Sequence, residues 1–296
     1  MKKIIFILVS FLTFGCAEAN LQGFEQVLNQ TGVINSSQSS ALFKFGSRVA
    51  DGSRTLSDEE EYYLGRSVAA TILSKYRPYQ DRALTAYVNK IATALANLSD
   101  RPETFIGYHV MVLDTPEINA VSAPGGFIFL SKGFVKILPD EDALAAVIAH
   151  ELAHVVKAHG VNAISEANLT NAFVLLGKDT AAAQTSGIAN QLTSVFGDSV
   201  SDITNTLLVN GYSRSQEYEA DEYAAELLKR AGYKTEASVT ALTALEKAQK
   251  NGSTGGWMST HPEAEDRIEE AEDFVSKSEN PGYELRTARY SKVMLK

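Results

Sequence analysis

Between Ala145 and Gly160 the chain reads AAVIAHELAHVVKAHG. Val147, Ile148, Leu152 and Val155 recur as on a helix that runs through a protein interior. The same stretch carries a glutamate and three of the chain's five histidines. Buried histidine and glutamate are costly when nothing pairs with them. Any fold this chain adopts must therefore bring partners for those groups to this helix.

The rest of the composition is that of an ordinary globular chain. Its 296 residues, 45% hydrophobic and 21% charged, suffice for one large domain or two small ones. The net charge is −9, and no basic stripe interrupts it, which argues against nucleic acid as a partner.

The opening stretch MKKIIFILVSFLTFGC has a basic end, Lys2 and Lys3, and an apolar run from Ile4 to Phe14. That run is too short to span a bilayer and suits a secretory signal. Cys16, the single cysteine, follows Gly15 and resembles the lipid-bearing cysteine of a bacterial lipoprotein. Cleavage after Ala19, within Ala17-Glu18-Ala19, is the alternative. Either way the mature chain has no disulfide. No later segment offers the roughly 18 apolar residues of a spanning helix. The expectation is an exported, periplasmic protein, tied to the outer membrane by a lipid anchor at Cys16.

Residues 17–56 read as a polar lead-in. Ser57-Asp58-Glu59-Glu60 is a capping-box pattern that starts a helix to about Lys75. Pro78 ends it, and a second helix follows over about 79–98. Residues 105–114 read as a strand. Residues 118–134 read as two short strands around Pro124-Gly125-Gly126, where glycine tolerates the positive φ of a type II turn. The long helix spans about Pro139 to His159, with Gly160 as its stop. Segment 161–211 contains an amphipathic stretch through Ile188, Leu192, Val195, Phe196, Val200, Ile203 and Leu207. Helices over about 214–231, 235–250 and 262–278 follow. The tail, 281–296, carries no functional reading. The fold class is α+β, mainly α, in one domain.

His150-Glu151-Leu152-Ala153-His154 fits the pattern H-E-x-x-H. Residues four apart on a helix share a face, so both imidazoles reach one small cation. Zinc suits that donor set, and it supplies Lewis acidity to a water. Glu151, turned about 100° from His150, can take that water's proton. A non-haem iron site also uses two histidines and a carboxylate, but it gives Glu151 no task. His159 lies five residues past His154, off its helical face, and fits a place at the helix end, on the surface or behind the ligands, better than ligation.

A third ligand must come from elsewhere. SRSQEYEADEYA, residues 213–224, offers Glu217, Glu219, Asp221 and Glu222. Glu217 and Asp221 share a face, so one can bind metal while the other accepts a ligand histidine's N–H. A solvated acidic first turn fits the same charges.

Four stretches, INAVSAPGGFIFLSKGF, AHELAHVVKAHG, SRSQEYEAD and STHPEAEDRI, resemble the zinc metallopeptidase family of the CAAX prenyl protease, HtpX and BepA. The resemblance runs from about Glu59 to Phe274. It implies a gluzincin-like core, one zinc per chain, and a metallopeptidase domain over 57–280. Glu217 is implied as third ligand beside His150 and His154, with Asp221 behind them. A small antiparallel sheet is implied, its edge strand lying over the site at Asn119, Ala120, Val121 and Ser122. Peptide would add to that edge. His261 resembles a loop histidine of the BepA-like branch that approaches the zinc and holds the enzyme silent. Gly252, Gly255 and Gly256 would let that loop move, and Pro262 also suits a helix start. Arg214 and Arg267 match family positions and suit structural ion pairs.

The chain lacks the hydrophobic spans of the membrane-embedded branches, and little follows the last matched helix where BepA-like proteins carry helical repeats. The expected activity is a zinc endopeptidase of the bacterial envelope acting on unfolded or misassembled polypeptides, with 161–211 as a lid. The alternative is a chaperone or assembly factor that uses the peptide groove with little hydrolysis. Oligomeric state has no signature in the sequence.

Overall fold

The computed structural model describes residues 56–163, 197–250, 260–261, 264–275 and 282–294. The signal segment with Cys16, nearly all of the lead-in, most of the expected lid, the glycines of the 252–256 loop and Pro262 lie outside them.

Two helices come first, α1 (Asp58–Lys75) and α2 (Arg82–Ala96), followed by β1 (His109–Leu113). Asp81 caps α2 by accepting from the amide of Leu84, which satisfies one of the helix's free donors. Then come β2 (Ala120–Ala123), the turn Pro124–Gly126 and β3 (Phe127–Ser131). Gly125 in that turn has φ 75° and ψ 10°, the conformation expected for glycine at the third turn position.

The sheet order is β1-β3-β2. β2 pairs antiparallel with β3, Ser122 opposite Ile128, so the hairpin stands as expected and β2 is an edge. β1 pairs parallel with β3, Val110 opposite Ile128, so the sheet is mixed rather than wholly antiparallel. β2 already occupies one side of β3, and β1 takes the other.

Alternation along the strands divides the interior into two cores. Val110, Val112, Ile128 and Leu130 face the larger one, built with α2 and the helices that follow. Val121, Ala123 and Phe129 face a smaller one with Leu64, Val68 and Ile72 of α1.

After the short α3 (Lys132–Ile137) comes α4 (Glu141–Val156), in which every residue from Glu141 to Val155 is buried. Asp140 caps it through the amide of Ala143 at 2.8 Å. The helix ends earlier than expected. Lys157 is its cap and Ala158 takes a left-handed φ of 55°, a geometry that costs a residue with a β-carbon about 1–2 kcal/mol. His159 opens a separate turn, α5 (His159–Asn162).

Beyond it lie α6 (Gly197–Asn205), a π-helical turn Thr206–Asn210, and α7 (Arg214–Arg230), which packs on α4. Val200, Ile203 and Leu207 are buried, as their spacing predicts. A capping box between Ser213 and Gln216 starts α7. α8 (Ala237–Lys250), α9 (Ala264–Phe274) and α10 (Tyr283–Met294) complete the chain. The tail, without a reading from sequence, thus forms a helix, and it packs on α4. Among the described residues no helix is long and apolar enough to cross a membrane.

Candidate metal centre

Two helices and one loop position bring the histidines and carboxylates together. His150 and His154 share a face of α4. Glu217 and Asp221 share a face of α7, buried at 1% and 6% exposure, so the reading of a solvated acidic turn does not apply to them. His261 reaches the same point and is buried too. One donor atom from each of His150, His154, Glu217 and His261 lies within 4.8 Å of all the others.

The distances are short. Nε2 of His150 is 3.1 Å from Nε2 of His154 and 3.5 Å from a carboxylate oxygen of Glu217. Nε2 of His154 is 3.7 Å from the other Glu217 oxygen. Nδ1 of His261 is 2.8 Å from both.

Behind His150, Nδ1–H donates to Asp221 at 2.9 Å. Asp221 in turn accepts two bonds from Arg267, each 2.7 Å. Arg267 is 2% exposed and also lies 3.0 Å from Glu217. It is an ion-pairing residue, as its sequence suggests, but the carboxylates it pairs belong to the site. Arg214 forms an exposed pair with Asp266 at 3.6 Å.

Electrostatics of the metal-free cluster match this wiring. Burial and the charge of Arg267 push His150 down, yet Asp221 and Glu217 outweigh them and hold it up at about 9. Burial and the neighbouring His150 hold His154 well below the usual range. Burial works to raise Glu217, but the charges of His261 and Arg267 hold it well below. The same contest, won by Arg267 and His150, lowers Asp221. A proton serves one pair of these donors at a time, whereas a divalent cation serves the whole cluster. The donor set fits such a cation on that ground.

Glu151, the next residue along α4 from His150, lies between the cluster and the edge strand. Ser122 Oγ donates to one of its oxygens at 2.9 Å, and Nε2 of His261 is 3.9 Å from the other. Asn119, Ala120, Val121 and Ser122 are the residues expected at the substrate edge. Ala120–Ala123 form that edge strand, and Asn119 precedes it, bonded to Ser131. Sequence reasoning did not reach Ser122 as a partner of Glu151. It also missed Tyr212, whose ring stacks on His154 at 4.2 Å between centroids.

Residues 80–275 match the sequence profile of peptidase family M48. The chain belongs to that family. Peptidases of family M48 are metal-dependent, in keeping with the donor cluster. Several curated proteins are similar. Mitochondrial metalloendopeptidase OMA1 of Schizosaccharomyces pombe is 29% identical over 208 residues, covering 68% of this chain and 58% of that protein. Metalloprotease LoiP of Escherichia coli is 28% identical over 224 residues, covering 75% and 80%. The β-barrel assembly-enhancing protease of Escherichia coli is 25% identical over 223 residues, covering 73% and 44%. The chain thus spans a little over half of the first of these relatives and under half of the last.

Proposed function

We propose that the protein is a zinc-dependent endopeptidase in which His150, His154 and Glu217 hold the metal and Glu151 is the general base. The observation that carries this reading is the convergence of donor atoms from α4 and α7 within 4.8 Å, with Glu151 beside them. When bound, zinc acts as a Lewis acid toward the attacking water and the scissile carbonyl.

The chain's own residues do the rest. Glu151 takes the water's proton and passes it to the leaving amine. Ser122 orients the carboxylate of Glu151 by donating to one of its oxygens. Asp221, clamped by Arg267, fixes the orientation of His150. Peptide adds to the outer edge of β2, placing its backbone across the site. Thr206 and Leu207 close over Val121 and Ser122 beside Glu151 and His261. Entry of peptide requires these two residues to move. His261, inside the donor cluster, takes the fourth position at rest and holds the enzyme latent.

The substrates we assign are unfolded or misassembled envelope proteins, reached by export through residues 1–16 and a lipid anchor at Cys16. Similarity to the β-barrel assembly-enhancing protease supports the envelope setting. Casein cleavage by the full-length chain, abolished by a zinc chelator and restored by zinc, tests the activity. Cleavage that persists in chelator would sink it. Metabolic labelling with a fatty acid, lost in Cys16→Ala, tests the anchor.

A further inference from the structure

His154 has its own line of partners, separate from the Asp221–Arg267 pair behind His150. The break at Ala158 turns His159 back toward the helix it leaves. Nδ1 of His159 lies 2.8 Å from Nδ1 of His154. Nε2 of His159 lies 3.2 Å from one oxygen of Glu219, and the other oxygen is 3.2 Å from Nζ of Lys157. His159 is 2% exposed.

Proton positions follow from these contacts. A carboxylate only accepts, so the Glu219 contact puts the N–H of His159 on Nε2. A neutral imidazole has one N–H, so Nδ1 of His159 presents a lone pair. Two lone pairs do not meet at 2.8 Å, so Nδ1 of His154 carries the hydrogen and donates it. Nε2 of His154 is then bare. That is the atom 3.1 Å from Nε2 of His150 and 3.7 Å from Glu217.

We propose that His159 is a positioning residue for the metal centre: it accepts the Nδ1–H of His154, so that His154 offers Nε2 to the metal, and Glu219 fixes His159 in the accepting tautomer. The two imidazoles of α4 thus have independent locks, a carboxylate for His150 and a second imidazole for His154. The proposal rests on the reading of His154 as a ligand. It goes beyond that reading by giving His159, Glu219 and the break at Ala158 a shared task.

The test measures zinc affinity of the full-length chain by competition with a chelator, for the wild type, His159→Leu and His159→Asn. Leucine fills the space without accepting a hydrogen bond, whereas the asparagine oxygen can stand near the place of Nδ1. His159→Leu should lose about 10–100-fold in affinity, the range for partners behind metal ligands, while His159→Asn stays within about threefold of wild type. A second readout is the Nδ1–H proton of His154 in the zinc-loaded chain by NMR, present in wild type and His159→Asn and absent in His159→Leu. Unfolding of the metal-free forms is followed alongside, because a merely structural His159 would lower stability and leave zinc affinity unchanged. Equal affinity of His159→Leu and wild type overturns the proposal, as does an equal loss in both variants. A wild-type chain that binds no zinc overturns the metal reading itself, a result distinct from the other two.

Discussion

Ser122 Oγ donates a 2.9 Å hydrogen bond to Oε2 of Glu151, joining the sheet's edge strand to α4. Both side chains are buried. The strand proposed to hold peptide is thereby tied to the group proposed to move protons, and a shift of one is felt by the other.

Replacing Glu151 with Gln keeps the shape and removes the base. Turnover should fall at least about 100-fold, while zinc content stays unchanged. Peptide cleavage and metal analysis on the same sample check both halves. Ser122→Ala should cost about tenfold in kcat, since a hydrogen bond to a charged group is worth about 1.5–3 kcal/mol.

His261→Ala tests latency. Removing a group that lies 2.8 Å from both oxygens of Glu217 should raise casein cleavage, with zinc still bound. A large fall in activity would instead assign His261 a part in the reaction.

Arg267 pairs with two buried carboxylates at once. Truncation to Ala leaves Asp221 and Glu217 without that charge, and a broken buried pair costs about 3–5 kcal/mol. Urea unfolding of the metal-free chain should show the loss, and zinc should recover part of it by binding only the folded form.

The C-terminal helix α10 anchors the start of α4. Arg286 pairs with Asp142 at 2.6 Å, Arg289 pairs with Glu141, and Tyr283 donates to Asp140 at 2.9 Å. The side chain of Asp142 is 2% exposed, so Arg286→Ala should destabilise by about 3–5 kcal/mol. Arg289 is 54% exposed, and its removal should cost less. Thermal melts of the two variants rank them.

Gly65 permits the close approach of α1 to the hairpin turn. A β-carbon there would stand 1.8 Å from the carbonyl oxygen of Pro124. Gly65→Ala should cost roughly 1–3 kcal/mol, the range for overpacking, and displace the edge strand. Lower stability together with a raised KM would record both effects.

Much of this was legible in the chain. Local patterns placed α1, α2 and the β2–β3 hairpin, because capping residues and Pro-Gly turns act over a few positions. The spacing of His150 and His154 announced a shared face, and the family resemblance pointed to Glu217. The parallel pairing of β1 was not legible, since strand order is decided by which side of β3 remains open. The contact of His159 with His154 was not legible, since a continuous helix keeps residues five apart on different faces. Ala158 breaks that helix at a residue with no usual preference for positive φ, and no local signal marks it. The clamp by α10 was equally hidden, as Arg286 and Asp142 are 144 residues apart.

Zinc K-edge absorption on the full-length chain, loaded with about one equivalent of zinc, tests the central claim most directly. The account predicts imidazole nitrogens at about 2.0–2.1 Å and carboxylate oxygen at about 2.0–2.2 Å, with imidazole scattering reduced in His154→Ala. A spectrum without imidazole scattering, or one that His154→Ala leaves unchanged, would contradict it.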